Sequence, residues 1–183
     1  IISANTYSDN LKGVARHLNY IVGIGDWSTE FFYNAGNTSG SILSRAEGTV
    51  IRYGTPNFDT VWQDENLMVW LARSRDGGNC VMVLDGLTPK IVSTKAIERI
   101  LNSSKVTDAV GYGIRVAGHI FYVLSLPTTN KTLVFSLTDN MWHEWTSYES
   151  SVEGYFKVQE MKGYISSTGI LEVVALHVSD GNV

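Results

Sequence analysis

The sequence predicts an all-β fold, and three observations support this prediction. Apolar residues recur with a period of two in short runs, as expected for strands that have one buried face. Turn-forming residues separate the runs, and the 183-residue chain holds 17 Gly but only 3 Pro. Aromatic residues make up 11% of the chain, which favours strands over helices. Together these features indicate antiparallel strands joined by hairpins.

Thirteen strands are predicted along the chain, each bounded by turn residues. They are 18–25, 30–33, 49–53, 60–63, 67–72, 80–84, 90–92, 109–116, 120–126, 132–137, 142–146, 155–161 and 170–178. The intervening turns, among them Asn34-Ala35-Gly36 and Asp85-Gly86, are rich in residues that reverse the chain within a few positions. Consecutive strands are therefore expected to be neighbours in a sheet.

One short helix is predicted at 95–101. Ser93 or Thr94 can cap its first turn, and Ile97, Ile100 and Leu101 follow at helical spacing. Because two turns of helix are marginal alone, this helix must pack on the sheets. We expect it to be an element inserted between strands.

A repeated unit organises the strands. Leading strands of aromatic and aliphatic residues begin at Leu18, Asn66, His119 and, more weakly, Gly163. Second strands follow at 29–33, 79–84, 131–137 and 171–178, and a short third strand comes next, as at 90–92 and 142–145. Spacings of 48, 53 and about 44 residues between leading strands are typical of β-propeller blades, each a four-stranded antiparallel sheet. A β-sandwich with coincidental spacing is the alternative.

The repeat length also predicts the size of the propeller region. A single blade cannot cover both of its faces, so neighbouring blades must stack to form a continuous core. At roughly 45–53 residues per blade, residues 1–183 hold about three to four blades in one region. That number is at or below the smallest closed propellers, so we expect the chain to be a fragment of a longer protein and of a larger propeller.

Composition and charge exclude several classes of function. The net charge is −4, and the 14 basic residues are scattered instead of forming the basic stripe that neutralises nucleic-acid phosphates. No apolar run approaches the ~20 residues of a membrane-spanning helix, so no membrane partner is expected. Cys80 is the single cysteine of the chain and stands in an apolar run, which predicts a small buried side chain and no thiolate metal cluster.

The sequence predicts no catalytic residue, no cofactor and no metal site, and it singles out no binding residue. The four histidines have no partner at ligand spacing, and His143 is best interpreted as an ordinary strand residue. The segment 74–79 partly matches the Ser-x-Asp-x-Gly turn of sialidase-like propellers, which is a structural turn and not a catalytic device. The pairs Gly23/Gly25 and Gly111/Gly113 lack the context of a phosphate-binding loop and indicate strand bends or close sheet contacts.

Three stretches of the chain carry a resemblance to a known family, with matching order and spacing. They are 28–36, the region from Val69 across Gly77-Gly78 to Glu98, and 118–124 continued by 132–138 and Trp142-His143-Glu144. Over roughly 18–146, the chain resembles the packaged-DNA stabilisation proteins, or tail hub (tail accessory) proteins, of short-tailed bacteriophages.

The resemblance implies a structural, non-enzymatic role in the virion tail after assembly in the bacterial host cytoplasm. It implies a homo-oligomeric ring below the portal and its adaptor, which closes the capsid after genome packaging and stabilises the packaged DNA. It further implies that the ring carries the tailspikes and the needle that opens the exit channel. Passive contact with DNA would suit the negative net charge, because a negative channel lets DNA slide.

Two other functions fit an all-β repeat. A carbohydrate-binding or glycan-cleaving phage propeller predicts exposed aromatic rings beside carboxylates in one pocket. A kelch-like adaptor would bind another protein. A structural hub instead predicts four tryptophans buried between blades, namely Trp27, Trp70, Trp142 and Trp145.

Overall fold

The structure is a computed structural model that describes residues 9–149, 151–165, 167 and 171–177. Within these residues the chain is built of strands with one α-helix, α1 at Lys95–Ser103. The strands are β1 Leu11–His17, β2 Tyr20–Gly25, β3 Thr29–Asn34, β4 Leu43–Arg45, β5 Trp62–Asp64, β6 Leu67–Ser74, β7 Gly78–Asp85, β8 Thr88–Ile91, β9 Val110–Val116, β10 His119–Leu126, β11 Lys131–Ser136, β12 Met141–Glu144, β13 Thr146–Glu149, β14 Val152–Tyr155, β15 Val158–Ile165 and β16 Leu171–His177.

Three consecutive sheets have the architecture of propeller blades. Blade A has the order β1-β2-β3-β4, blade B β5-β6-β7-β8 and blade C β9-β10-β11-β12, so each is a four-stranded meander. The registers within these sheets are antiparallel. Two further hairpins follow, β13-β14 and β15-β16. The predicted all-β fold of propeller-like blades with one inserted helix is confirmed.

The middle strands of a blade are buried on both faces. Residues 68–72 of β6 and 80–84 of β7 are buried without interruption, and successive side chains of a strand alternate between faces. An unbroken run of buried residues therefore means that other parts of the protein cover both faces of the sheet. The outer strand β8, in contrast, is exposed along its whole length. This gradient across the sheet explains why the middle strands give the strongest apolar runs in the sequence.

The leading strand of the repeat is the second strand of each blade. Strands β2, β6 and β10 match the copies that begin at 18, 66 and 119, and each is preceded by another strand that pairs with it. In blade A this preceding strand is β1, which the sequence did not predict. Lys12 and Arg16 flank a short stretch of small residues in β1, so the strand lacks an apolar run. Strand β4, only three residues long, was also not predicted.

The fourth copy departs from the predicted pattern. Its leading segment at 163 lies at the end of β15, which begins at Val158 and pairs with β16 in a two-stranded sheet. The predicted strands 142–146 and 155–161 are each interrupted, because the chain forms the additional hairpin β13-β14 between them. The side chains of 163–165 and the end of the predicted strand 170–178 lie outside the described residues.

The predicted helix forms at the expected place. The Thr94 hydroxyl accepts a hydrogen bond from the backbone N–H of Ile97 (3.4 Å), which is the expected N-terminal cap. Ile97 and Leu101 are buried, so the helix presents one apolar stripe to the protein. At its other end, the Asn102 side chain accepts a hydrogen bond from the Asn79 N–H (2.8 Å), which fixes the helix to the β6–β7 turn.

The chain divides into two compact units. The first comprises the residues up to Phe58 together with Gln63–Ser103, and the second comprises Asp59–Trp62 and the chain from Ser104 onward. The first unit thus holds blade A, most of blade B and α1, and the second holds blade C and both hairpins. In the described part of the chain, no helix has the length and apolarity needed to cross a membrane.

Candidate functional site

Three of the four histidines, His17, His119 and His143, lie on different strands. His17 is buried at the end of β1, with its Nε2 2.5 Å from the Gly86 carbonyl oxygen, and His143 is exposed on β12. His119 lies 3.6 Å from Asp139 at the surface. Among the described residues, no group of three or more His, Cys, Asp or Glu side chains could hold a metal ion.

Cys80 and the 74–79 turn have structural surroundings. Cys80 is buried, and this burial raises the pKa of its thiol to about 12, so that the thiolate is scarce at neutral pH. In the turn, the Ser74 hydroxyl accepts a hydrogen bond from the Gly77 N–H (2.8 Å), while Asp76 is exposed. The turn is therefore closed by Ser74 and leaves the Asp76 carboxylate at the surface.

The glycines Gly111 and Gly113 of β9 make close sheet contacts. A Cβ at Gly113 would collide with the ring of Trp62, and one at Gly111 would lie 2.5 Å from the Tyr122 hydroxyl. That hydroxyl donates a hydrogen bond to the Thr60 carbonyl oxygen (2.7 Å). The two glycines thus let the 59–62 segment lie directly on blade C.

Residues 51–55 join blade A to blade B. Ile51 forms an antiparallel bridge with Thr29 of blade A, and Gly54 forms one with Arg73 of blade B. The Thr55 hydroxyl donates to the Leu71 carbonyl oxygen (2.9 Å). Because the segment divides its backbone bonds between two sheets, it forms a crossing and not the strand predicted at 49–53.

A charged cluster lies beside this crossing. The Asp26 carboxylate pairs with the Arg73 guanidinium and lies 3.3 Å from the Lys12 ammonium. Burial raises the pKa of Asp26, but the hydrogen bonds and charges of Lys12 and Arg73 outweigh that effect and hold the pKa below its usual value. The Arg73 guanidinium also lies 4.2 Å from the centre of the Trp27 ring, in cation–π geometry.

Asp9 fixes the turn that carries this cluster. Its Oδ2 accepts hydrogen bonds from the Trp27 N–H (2.9 Å), the Ser28 N–H (2.8 Å) and the Ser28 hydroxyl (2.9 Å). A Cβ at Gly25 would lie 2.5 Å from the same oxygen, so a larger residue there would displace the Asp9 carboxylate. Trp27 is therefore held in place from its backbone as well as by Arg73.

A cleft of about 230 Å³ opens next to Trp27. We call it the Trp27 cleft; it is lined by Trp27, Arg52, Ser74, Arg75 and Asp76. Arg52 and Arg75 are exposed, whereas Trp27 is half-buried. Trp and Arg are the side chains that most often anchor protein–protein contacts. The cleft is therefore a candidate site for such a contact.

The second unit has an apolar layer between sheets. Val158 of β15 packs with Tyr112, Val123 and Val134 of blade C. The partly buried aromatic and sulfur-containing side chains around this layer are Phe121, Trp145, Phe156 and Met161. Packing of this kind makes neighbouring sheets a rigid stack.

The tryptophans are buried to different extents. Trp70 is completely buried, and its Nε1 donates to the Gly54 carbonyl oxygen (3.3 Å). Trp27, Trp142 and Trp145 are half-buried. The burial expected of all four tryptophans is therefore complete for Trp70 and partial for the other three.

The family model described as bacteriophage P22 Gp10, beta-propeller, matches residues 1–165. The chain belongs to this family. A comparison with curated proteins gave no match. The family match confirms the resemblance to packaged-DNA stabilisation and tail hub proteins, and with it a bacteriophage structural protein built of propeller blades.

The family match extends further toward both ends than the resemblance over 18–146. It includes β1, whose weak apolar pattern gave no prediction, and the two hairpins that follow blade C. The Trp27 cleft was not predicted either, because its lining residues come from three separate stretches of the chain and share no local pattern. The single sequence signal was the turn Gly25-Asp26-Trp27-Ser28, in which a tryptophan stands between strands.

Proposed function

We propose that the protein is a structural component of the phage tail hub, which acts without catalysis. Several copies form a ring below the portal and its adaptor, close the capsid after packaging and hold the packaged DNA. The ring also carries tailspikes and the needle for DNA ejection. The observation that carries this proposal is the family match over residues 1–165.

The architecture supports such a role. Within each unit, sheets are joined by buried apolar layers and by backbone bonds such as those of 51–55, which makes a rigid body. Exposed loops at the ends of the strands, such as residues 35–40, are free to differ where neighbours bind. A rigid body with adaptable loops suits a part that must bear the pressure of a packed genome.

The test is assembly with the neighbouring proteins. The purified chain is mixed with the portal and adaptor proteins of a short-tailed phage, and the mass of the products is measured by native mass spectrometry. We expect a defined complex with several copies of the chain per portal ring. A chain that joins neither protein, alone or as a portal–adaptor complex, would contradict the proposal.

Enzymatic activity is tested separately on host surface polysaccharide. The proposal predicts that the purified chain releases no reducing ends from this material. Release of reducing ends would favour a glycan-cleaving propeller instead.

A further inference from the structure

A polar cleft lies between equivalent turns of blades A and B. The turn Leu18-Asn19 joins β1 to β2, and Glu65-Asn66 joins β5 to β6, so both turns lead into the second strand of their blade. The volume of the cleft is about 380 Å³, within the ~300–1,000 Å³ of typical ligand sites. We call it the amide cleft; it is lined by Arg16, Leu18, Asn19, Gln63, Glu65 and Asn66.

Three carboxamides in this cleft are available to a ligand. Asn19, Gln63 and Asn66 are exposed, and none of their side chains hydrogen-bonds to another described residue. Each carboxamide offers N–H donors and a carbonyl acceptor. The two charged residues of the cleft, Arg16 and Glu65, have opposite signs. The cleft therefore combines free polar groups with no excess of either charge, which favours a neutral polar ligand over an ion.

Turn formation does not explain the two asparagines. In these turns Leu18 and Glu65, not the asparagines, have a positive φ, at +53° and +46°. This left-handed region suits Gly and Asn, whereas a side chain such as Leu is strained there. Asparagine also stabilises turns when its side chain bonds the backbone, but Asn19 and Asn66 make no such bond within the described residues. A ligand accounts for these two side chains better than the turns do.

A peptide backbone matches the arrangement. A peptide group carries one N–H and one carbonyl, so a single carboxamide can accept from the first and donate to the second. Asn19 and Asn66 occupy equivalent positions in successive blades, which suits a ligand that itself repeats along its length. The described residues that line the cleft include no aromatic ring, which a sugar site is expected to offer. In blade C the equivalent turn is Ala117-Gly118, which has no carboxamide.

We propose that the amide cleft binds the backbone of an extended segment of a neighbouring virion protein, through the carboxamides of Asn19, Gln63 and Asn66. Because these contacts are made to main-chain groups, they hold segments of varied sequence. The dissociation constant for a short peptide is about 1 mM, since neutral hydrogen bonds replace bonds to water. The inference rests on the proposed function for the source of the segment, because a tail hub has such neighbours.

Titration with a model peptide tests the site. The probe is a hexapeptide of alternating Ala and Ser, acetylated and amidated at its ends so that it is uncharged. NMR spectra of the isotopically labelled chain are recorded up to about 10 mM peptide, ten times the expected dissociation constant. We expect the side-chain amide signals of Asn19, Gln63 and Asn66 to shift. The same peptide with N-methylated peptide bonds lacks the N–H donors and should leave these signals almost unchanged.

Variants locate the binding in the cleft. Asn19→Ala and Asn66→Ala each remove one carboxamide from an exposed turn position, and each should weaken peptide binding by about fivefold or more. Gln159→Ala removes an exposed carboxamide elsewhere and is the matched control, which should bind the peptide as the unmodified chain does. Circular dichroism first shows that each variant is folded.

The inference is overturned by a peptide that shifts none of the three signals, by equal binding of the N-methylated peptide, or by alanine variants that bind normally. Maltohexaose is titrated in parallel, and shifts at the cleft with this sugar but not with the peptide would assign the site to a glycan. If the chain joins the portal and adaptor but binds no peptide, this inference fails and the proposed function stands. Peptide binding by a chain that joins neither protein would contradict the proposed function alone.

Discussion

Two buried tyrosines in the second unit differ by one hydrogen bond. Tyr122 donates its hydroxyl proton to the Thr60 carbonyl oxygen at 2.7 Å. The Tyr112 hydroxyl is buried in an apolar layer without a hydrogen-bond partner among the described residues, and this burial raises its pKa. A buried hydroxyl without a partner costs free energy, whereas a satisfied one contributes about 1 kcal/mol.

Removal of each hydroxyl should therefore have opposite effects. We expect Tyr112→Phe to raise the free energy of unfolding by up to about 1 kcal/mol, and Tyr122→Phe to lower it by about 1–2 kcal/mol. Urea denaturation measures both, and the variants serve as controls for each other because the chemical change is identical. A clear loss of stability in Tyr112→Phe would mean that its hydroxyl has a partner.

Asp26 gives the first unit a pH-dependent contribution to stability. Its pKa is lowered in the folded protein by Lys12 and Arg73, against the effect of burial. A carboxylate with a lowered pKa stabilises the fold above its unfolded pKa of about 3.9, and this contribution is lost as the pH falls through the folded pKa. We expect Asp26→Asn to lower the free energy of unfolding at pH 7 by about 1–2 kcal/mol.

The measurement is urea denaturation of both proteins at pH 7 and at several values below pH 4. The difference between Asp26→Asn and the unmodified chain should shrink in the acidic range. Asp76→Asn, at an exposed turn, makes the same charge change and should have little effect at any pH. A difference for Asp26→Asn that is constant across the pH range would contradict the assigned ion pairs.

At the scale of secondary structure, α1 depends on a contact that its sequence does not display. The Asn102 side chain accepts the Asn79 N–H, and the Asn79 side chain donates to the Leu101 carbonyl oxygen (3.3 Å). Asn102 also lies against Gly78, whose φ of +74° belongs to the left-handed region. The helix end and the β6–β7 turn therefore stabilise each other.

Loss of this contact should loosen the turn. We expect Asn102→Ala to lower the free energy of unfolding by about 1 kcal/mol and to speed amide exchange at Asn79. Thermal denaturation and hydrogen exchange check the two effects. Arg99→Ala, at an exposed position of the same helix, is the control and should change stability by less than about 0.5 kcal/mol. Unchanged exchange at Asn79 in the Asn102 variant would show that the turn is held by other contacts.

The middle strands could be predicted from the sequence and the edge strands could not, because the two kinds of strand differ in how much of their surface is buried. Strands such as β6 and β10 are buried on both faces, so they must be continuously apolar, and a run of that kind is visible in the sequence. Edge strands such as β1 and β4 have little buried surface and carry no such constraint. The 51–55 segment has β-like composition, but its hydrogen bonds go to two different blades, which only the tertiary structure decides.

At the scale of the whole molecule, the blade architecture could be predicted from the repeat, while the candidate contact surfaces could not. The repeat reflects a core that every blade needs, so it recurs at regular spacing. The Trp27 cleft joins residues from the turn after β2, the crossing segment and the β6–β7 turn. No spacing rule relates these three places, and their meeting depends on how blade A stacks on blade B.

The net charge of −4 disfavours binding to DNA. Non-specific binding to duplex DNA depends on basic residues that replace phosphate counterions. In this chain, cations such as Lys12 and Arg73 are paired with Asp26, and Lys131 is paired with Glu144 (2.7 Å). We therefore expect the chain to bind duplex DNA more weakly than about 10⁻⁴ M at physiological salt, the weak end of non-specific binding.

Fluorescence anisotropy with a labelled duplex measures this binding at several salt concentrations. Glu47→Lys combined with Asp76→Lys changes two exposed acids and makes the chain neutral, and this variant should bind more tightly, with a steeper salt dependence. Micromolar binding by the unmodified chain, lost steeply as salt rises, would contradict the prediction. A surface that repels phosphates is the property a hub needs if the genome is to leave past it without adhering.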